Sequence, residues 1–302
     1  MTGHITERYI NEISGICERI KPMVAVRCIT YNHEPYLRQT LEGFVSQITD
    51  FPFVVIVHDD ASKDKTAEII REFSGKYPDM ILPIFEEENQ YSKRDGTIRR
   101  IMDEAVMASG AKYVAICEGD DFWIDPHKLQ KQVDFLESHP DYGLCCTGCF
   151  KFEDGKKEDF NLTTLEDITI EDELLKNQVA TLTVLFRAHF LKDYREMKIE
   201  QYRFPMGDYP LWLYIASKSK IKSLTDKTAC YRILPESASH STNLYKRFLF
   251  LLAYFEIQIL YGDRYPKLKR KSRINRIKLI LKSAIRQKDP VLLKHLFRYY
   301  YL

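Results

Sequence analysis

Three short β-branched runs in this chain all break off abruptly into polar residues. VAVRCIT (24–30) gives way to Tyr31-Asn32-His33-Glu34, and FVVIVHDD (53–60) to Ala61-Ser62. YVAIC (113–117) runs into Glu118-Gly119-Asp120-Asp121. Continuous apolar runs of this length suit strands buried on both faces. Helical patterns lie between them. The first opens at Glu34-Pro35, with Leu37, Leu41, Phe44, Val45 and Ile48 on one face. The second is capped by Asp64 and buries Ile69, Ile70 and Phe73; the third spans 97–108, after a strand ILPIF (81–85) and a polar loop. With 112–121 as the fourth strand, strand and helix alternate four times. That pattern predicts a parallel sheet with right-handed crossovers, an α/β sandwich. Ligands bind such sheets outside the carboxyl ends of the strands, so the three polar edges should meet on one rim.

The second half reads differently. Asp125-Pro126 looks like an N-cap followed by proline at the first helical position, with a helix to about Ser138. YGLCCTGCFKFEDG reads as a strand with a turn at Asp154-Gly155, and residues 181–191 as another strand. A helix over Tyr209–Ser217 and a strand or hairpin from Lys220 follow, extending the sheet and forming a second cleft wall. From about Ser241 the pattern is helical.

A chain of 302 residues with net charge +2 is ordinary for a folded protein, and no nucleic-acid partner is expected. Seven cysteines, several inside apolar runs, read as reduced core thiols, and Cys146 and Cys149 lack a second ligand pair for zinc. The N-terminus has no basic region leading into an apolar one, and residues 248–262 are too short for a membrane span and carry Glu256. The expectation is a cytoplasmic protein, and Asn161-Leu162-Thr163 is then an idle glycosylation sequon. From Arg264 onward the sequence is rich in Lys and Arg, with Asp289 as the single acid. Such helices can rest on the inner face of an anionic membrane, form a solvated face or support self-association.

The rim residues exclude two chemistries. No Gly-x-Gly-x-x-Gly follows the first strand, and no Gly-x-x-x-x-Gly-Lys-Ser/Thr occurs, which disfavours dinucleotide and P-loop sites. What stands there is carboxylate. Crowded acids repel one another and lose hydration. Carboxylates are also hard ligands for Mg²⁺ or Mn²⁺, which such sites hold together with substrate phosphates.

In this order, over roughly 22–240, the segments ITYNHEPYLRQTLEGFVSQ, VIVHDDASKDKTAEII, YVAICEGDDFWIDPHK, GDYPLWLYIA and YRILPESASHS resemble family 2 glycosyltransferases. The resemblance implies a GT-A fold, a Rossmann-like mixed α/β sheet flanked by helices, with a C-terminal helical extension. It divides the chain into a helical lead (1–21), a donor-binding half (22–125), an acceptor-side half (126–240) and a basic helical region (241–302). It implies a nucleotide-diphosphate sugar donor, with a UDP-sugar expected, Mg²⁺ or Mn²⁺, inversion at the anomeric carbon, and a glycan or lipid-linked glycan acceptor of surface-polysaccharide assembly. Residue by residue it places nucleotide contacts at Thr30, Tyr31, Asn32, Glu34, Asp59, Asp60 and Asp120. Metal ligation falls to Asp120, Asp121 and Glu118, where glutamate replaces the family's first aspartate. The catalytic base is Asp208, which also suits a helix N-cap.

Lys93, Arg94, Arg99 and Arg100 could meet the diphosphate or form a solvated helix start. Trp123 reads as core or as a sugar platform, and His240 as a phosphate contact or a surface loop. The rival functions are a nucleotidyltransferase, which would show a glycine-rich basic stretch after the first strand, and a non-catalytic glycan-binding relative.

Overall fold

The computed structural model describes residues 2–153, 155–160, 162–196, 204, 206–234, 243–262, 265–288 and 293. Its first half runs α1 (Thr2–Ile20), β1 (Val24–Thr30), α2 (Glu34–Val45), β2 (Phe53–Asp59), α3 (Thr66–Lys76), β3 (Ile81–Phe85), α4 (Thr97–Ala108) and β4 (Tyr113–Ile116). These strands lie in the order β3-β2-β1-β4, all parallel, with Val24 opposite both Phe53 and Tyr113. That register sets Thr30 beside Asp59, so the strands end on a common rim. Both faces are covered. Val24, Val26 and Cys28 pack with Leu37, Leu41, Phe44, Ile70 and Phe73. Ala25 joins Ile13 and Cys17 of α1 and Ile101, Met102 and Ala105 of α4 on the other face. Two-sided burial is why these strands read as continuous apolar runs.

The second half continues with β5 (Phe122–Trp123), α5 (Lys128–Ser138), β6 (Tyr142–Glu153), β7 (Lys156–Phe160), β8 (Asp167–Ile168), α6 (Ile170–Leu175) and β9 (Leu185–Arg187). Then come α7 (His189–Glu196), α8 (Tyr209–Lys218), β10 (Lys220–Arg232), α9 (Leu244–Gly262) and α10 (Pro266–Gln287). Strand β9 pairs antiparallel with β4 and β6, while β10 runs parallel to β6. At its far end β10 also pairs antiparallel with β5, Cys230 opposite Phe122. The sheet is therefore mixed, and its longest strand ends at the acidic turn.

Four local expectations are corrected. Residues 181–191 are not one strand: Thr181–Thr183 form a 3-10 turn, Leu185–Arg187 a short strand, and α7 starts at His189. The strand is short because β9 aligns with only Tyr113–Ala115 of the four-residue β4. The fourth strand ends at Ile116, since the Ile29 N–H goes to the Glu118 side chain instead of continuing the ladder. Helix α5 begins at Lys128, and Asp125 accepts the His127 N–H at 2.8 Å just ahead of it. Ile48 lies past the end of α2 and is 58 % exposed. Asp64 does act near the start of α3, taking the Thr66 N–H with one oxygen and the Glu34 N–H with the other. The sequon's Asn161 and the turn residue Asp154 lie outside the described residues; Gly155 has φ +77°.

All seven cysteines are free and buried. Among the described residues no helix is long and apolar enough to cross a membrane. One buried charge gave no warning in the sequence. Lys128 is fully buried, with Nζ 2.6 Å from Gln132 Oε1 and 4.4 Å from the centre of the Trp123 ring. Burial pulls its pKa down to about 8. A lysine lowered on folding opposes stability wherever the unfolded chain is protonated and the native one is not yet free of that cost. The native state should therefore gain stability as pH rises from about 8 towards 10.5, at about 1.4 kcal/mol per pH unit. Lys128→Met removes that slope. Urea denaturation of both proteins at pH 7.5 and 9.5 should show wild type gaining about 2 kcal/mol relative to the variant.

Candidate active site at the strand ends

The acidic turn is built from its backbone outward. Ile29 N–H donates to Glu118 Oε2 at 2.9 Å, and Gly119 N–H returns to Ile29 O at 3.0 Å. A Cβ on Gly119 would lie 2.8 Å from His33 Nδ1 and against the Thr30 methyl, so only glycine lets the turn press this close to β1. The Thr40 hydroxyl reaches Asp121 O at 2.6 Å and Gly119 O at 3.0 Å, tying α2 to the turn. Asp121 is 6 % exposed, and its Oδ1 accepts the Arg232 N–H at 2.8 Å. The Arg232 guanidinium donates to Asp120 O and Gln39 Oε1. It lies 4.4 Å from the centre of the Phe122 ring and 5.2 Å from that of Tyr36.

The three acids thus have different surroundings. Asp121 is an internal acceptor, and burial, then the neighbouring Asp120, push its pKa up. Asp120 is half-buried, and its carboxylate takes no hydrogen bond among the described residues. Glu118 is pushed up to about 7 by burial, opposed by Arg27 and the Ile29 N–H, with Asp120 and Asp208 adding to the rise. Arg27 Nε and His33 Nδ1 are buried polar atoms without a hydrogen-bond partner among the described residues. Burial lowers the His33 pKa, while Asp120 and Asp64 pull against it. Arg27, His33 and Arg232 were not singled out as site residues from sequence. The signals were there: an arginine inside a buried strand, a histidine at a strand end, and the Tyr231-Arg232 pair.

The other two edges are bonded to each other. Thr30 Oγ1 donates to His58 O at 3.1 Å. Asn32 takes positive φ (53°); its N–H donates to Ser62 Oγ and its Oδ1 accepts the Lys63 N–H. Glu34 Oε2 accepts the Lys65 N–H at 3.1 Å. Asp59 forms the local turn, accepting Ser62 Oγ at 2.5 Å, and burial raises its pKa. Asp60 is fully buried, with Oδ1 on the Gln90 N–H at 2.6 Å and Oδ2 on the Tyr91 N–H at 3.0 Å. Tyr31 is exposed.

Asp208 caps α8. Its Oδ1 accepts the Tyr209 N–H at 2.8 Å and its Oδ2 accepts the Thr181 hydroxyl. It lies near enough to act electrostatically on Glu118 and on Glu173, a buried acid of α6 raised to about 8 by burial. Arg99 presses its guanidinium over Gly207, where a Cβ would overlap it, and makes no hydrogen bond or ion pair among the described residues. Its guanidinium therefore lies against the residue that precedes Asp208. Lys93 is turned to Gln90 Oε1 at 3.0 Å and to Glu88 at 3.3 Å. Trp123 is core: it is 3 % exposed, and its Nε1–H donates to Leu182 O at 2.9 Å. His240 lies outside the described residues.

Among the described residues no three His, Cys, Asp or Glu side chains form a ready cage for a metal. The donor set still fits a hard divalent cation that completes its shell with phosphate oxygens and water. Asp120 has an unengaged carboxylate among the described residues, and Glu118 resists ionising even with Arg27 near it. A carboxyl raised on folding stabilises the native state below its unfolded pKa and loses that contribution as pH climbs through the folded value. Glu118→Gln should therefore stabilise the metal-free protein by about 3 kcal/mol at pH 8 and leave it nearly unchanged at pH 4, read by chemical denaturation.

The family model for glycosyl transferase family 2 matches residues 26–203, a span that holds the edges after β1 and β2 and the acidic turn and stops short of Asp208. An uncharacterized protein of Mycobacterium tuberculosis is 37 % identical over 171 residues, covering 54 % of this chain and 46 % of that one. The chain thus spans about half the length of the curated relatives it matches at this level. An uncharacterized glycosyltransferase of Methanocaldococcus jannaschii is 25 % identical over 243 residues, 77 % of this chain and 78 % of that one. The amylovoran biosynthesis glycosyltransferase AmsE of Erwinia amylovora is 24 % identical over 198 residues, 65 % and 70 % of the two chains. Among solved structures, TarS of S. aureus in complex with UDP superposes with a TM-score of 0.55 at 15 % identity, over 92 % of this chain and 87 % of that one. A mannosyltransferase of Pyrobaculum calidifontis in complex with GDP-Man and Mn²⁺ does so with a TM-score of 0.56 at 16 % identity, over 94 % and 85 %. The architecture is that of the GT-A fold, and with the family match spanning more than half its length the chain belongs to glycosyl transferase family 2.

Proposed function

We propose that this chain is an inverting glycosyltransferase that moves a sugar from a nucleotide-diphosphate sugar to an acceptor hydroxyl. The observation that carries the reading is the placement of Asp208: it acts electrostatically on Glu118 of the acidic turn while belonging to a different wall, at the start of α8. A base and a donor site on opposite walls suit in-line displacement.

In this reading residues 22–125 hold the donor and 126–240 the acceptor. Thr30, Tyr31, Asn32, Glu34, Asp59 and Asp60 shape the nucleoside end, Asp60 by fixing the Gln90–Tyr91 backbone over it. Asp120, with Glu118, would hold Mg²⁺ or Mn²⁺, and Asp121 keeps the turn in place through Arg232. The bound cation would supply Lewis-acid stabilisation of the departing diphosphate. Arg99 offers further positive charge to it, as Lys93 would on leaving its pair with Glu88. Thr181 and the Tyr209 N–H orient Asp208 so that it takes the acceptor hydroxyl proton as that oxygen bonds to the anomeric carbon. The sugar–phosphate bond breaks with its electron pair on the nucleoside diphosphate, and the anomeric centre inverts.

A UDP-sugar is our choice of donor, supported by the TarS complex with UDP-GlcNAc. The name of AmsE, an amylovoran biosynthesis glycosyltransferase, supports a place in polysaccharide synthesis, and our choice of acceptor is a glycan or lipid-linked glycan. Asp208→Asn should lower kcat by about 10²- to 10⁴-fold while donor KM changes little. Undiminished turnover would remove Asp208 as the base. Asp120→Asn should abolish the Mn²⁺-dependent thermal shift given by a UDP-sugar, measured across UDP-, GDP-, CMP- and TDP-sugars. A donor shift that survives both a chelator and this substitution would overturn the metal assignment.

A further inference from the structure

Helix α10 has two unlike sides. Ser272, Arg276, Ile280 and Ala284 form a buried i, i+4 row, and Ile280 and Ala284 pack with Phe248, Leu252 and Phe255 of α9. The opposite side is apolar and basic together. Ile274 is 42 % exposed, Leu281 39 % and Ile285 77 %. Their spacings of seven and four residues put them on one stripe. Lys267, Lys271, Lys278 and Lys282 fall on the same side and are all exposed. Lys278, Leu281, Lys282, Ile285 and Arg286 line a shallow, open depression there.

The charge is not neutralised. Between Pro266 and Gln287 the sequence has nine Lys and Arg and no acid. These four lysines make no ion pair among the described residues, whereas Lys112, Lys131 and Lys220 of the α/β part are each paired with an acid. A surface of this kind excludes some occupants. A second copy would set like charge against like charge. Residues 289–302 add Lys294 and Arg298 against one acid, Asp289, so they do not complement it either. What satisfies both parts at once is an interface with phosphate-level negative charge over an apolar layer.

We propose that this face of α10 docks on an anionic lipid bilayer, with the helix axis along the surface and Ile274, Leu281 and Ile285 at the acyl boundary. The lysines beside them meet lipid phosphates. Because α10 packs on α6 and α9, and α9 on α8, docking holds the Asp208 wall at a fixed attitude to the membrane. The proposal stands on α10 alone and does not require the reaction above.

The test is co-sedimentation of the full chain with phosphatidylglycerol-containing vesicles and with pure phosphatidylcholine vesicles. The chain should partition onto the anionic vesicles, weaken with added salt, and bind the neutral ones far less. Each lysine at an anionic surface strengthens partition about fivefold, so Lys278→Glu with Lys282→Glu should weaken it by more than about tenfold. Ile285→Glu should also weaken it. All three side chains are exposed, so circular dichroism and the UDP-sugar thermal shift should stay as in wild type. Equal binding to neutral vesicles, no binding to anionic ones, or unaltered binding by the variants would overturn the proposal. So would light scattering showing that Ile285→Glu splits a dimer while vesicle binding is unchanged.

Discussion

The arrangement of the rim depends on one arginine. Arg232 is the last residue of β10, and its backbone N–H meets the buried Asp121 carboxylate while its guanidinium reaches Asp120 O and Gln39. Three separate pieces of chain are joined there: the acidic turn, α2 and the closing strand. Without that cation the turn would hold Glu118, Asp120 and Asp121 with Arg27 as the counter-charge acting on Glu118. Arginine suits the position because its planar fork donates in several directions while its faces lie against the rings of Phe122, Tyr36 and Phe152. The clamp lies at the end of β10, where that strand, parallel to β6 on one side, pairs antiparallel with β5 on the other.

Around this clamp the carboxylates divide into those consumed by structure and those left open. Asp60 and Asp121 take backbone N–H groups inside the protein, and Asp59 closes a turn with Ser62. Asp120 remains unengaged among the described residues, and Glu118 stays reluctant to ionise. In the proposed reaction the first group gives the site its shape and the second supplies its chemistry. Rigid loops of this kind limit the reorganisation needed when a substrate arrives. On the other wall Thr181 and Tyr209 orient Asp208, and Arg99 lies against Gly207 with no ion pair among the described residues.

Much of the fold was legible from residue pattern. The strands at 24–30, 53–59 and 81–85 and the helices at 34–45 and 97–108 follow directly from apolar runs and periodicity. The second half was less legible. Residues 181–191 look strand-forming, yet β4 offers β9 only three partners, so most of the segment turns or coils into α7. The acids were found as a group, but their order of importance was not. Spacing shows that Asp120 and Asp121 are adjacent; it does not show that one is buried against Arg232 while the other is half-buried. Lys128 was invisible for the same reason, because nothing near it in sequence marks a lysine enclosed by Trp123 and Gln132.

The sequence by itself determined the parallel sheet of the first half, the rim on which its polar edges meet, and the family to which the chain belongs. Those follow from local periodicity and from short motifs read in order, which survive without knowledge of long-range contacts. Only the tertiary structure decided which carboxylates are open, which cations balance them, and which side of α10 faces outward. Each of those outcomes depends on residues far apart in the chain, Asp121 with Arg232, Asp60 with Gln90, Ile280 with Phe255, and on the burial that their meeting imposes.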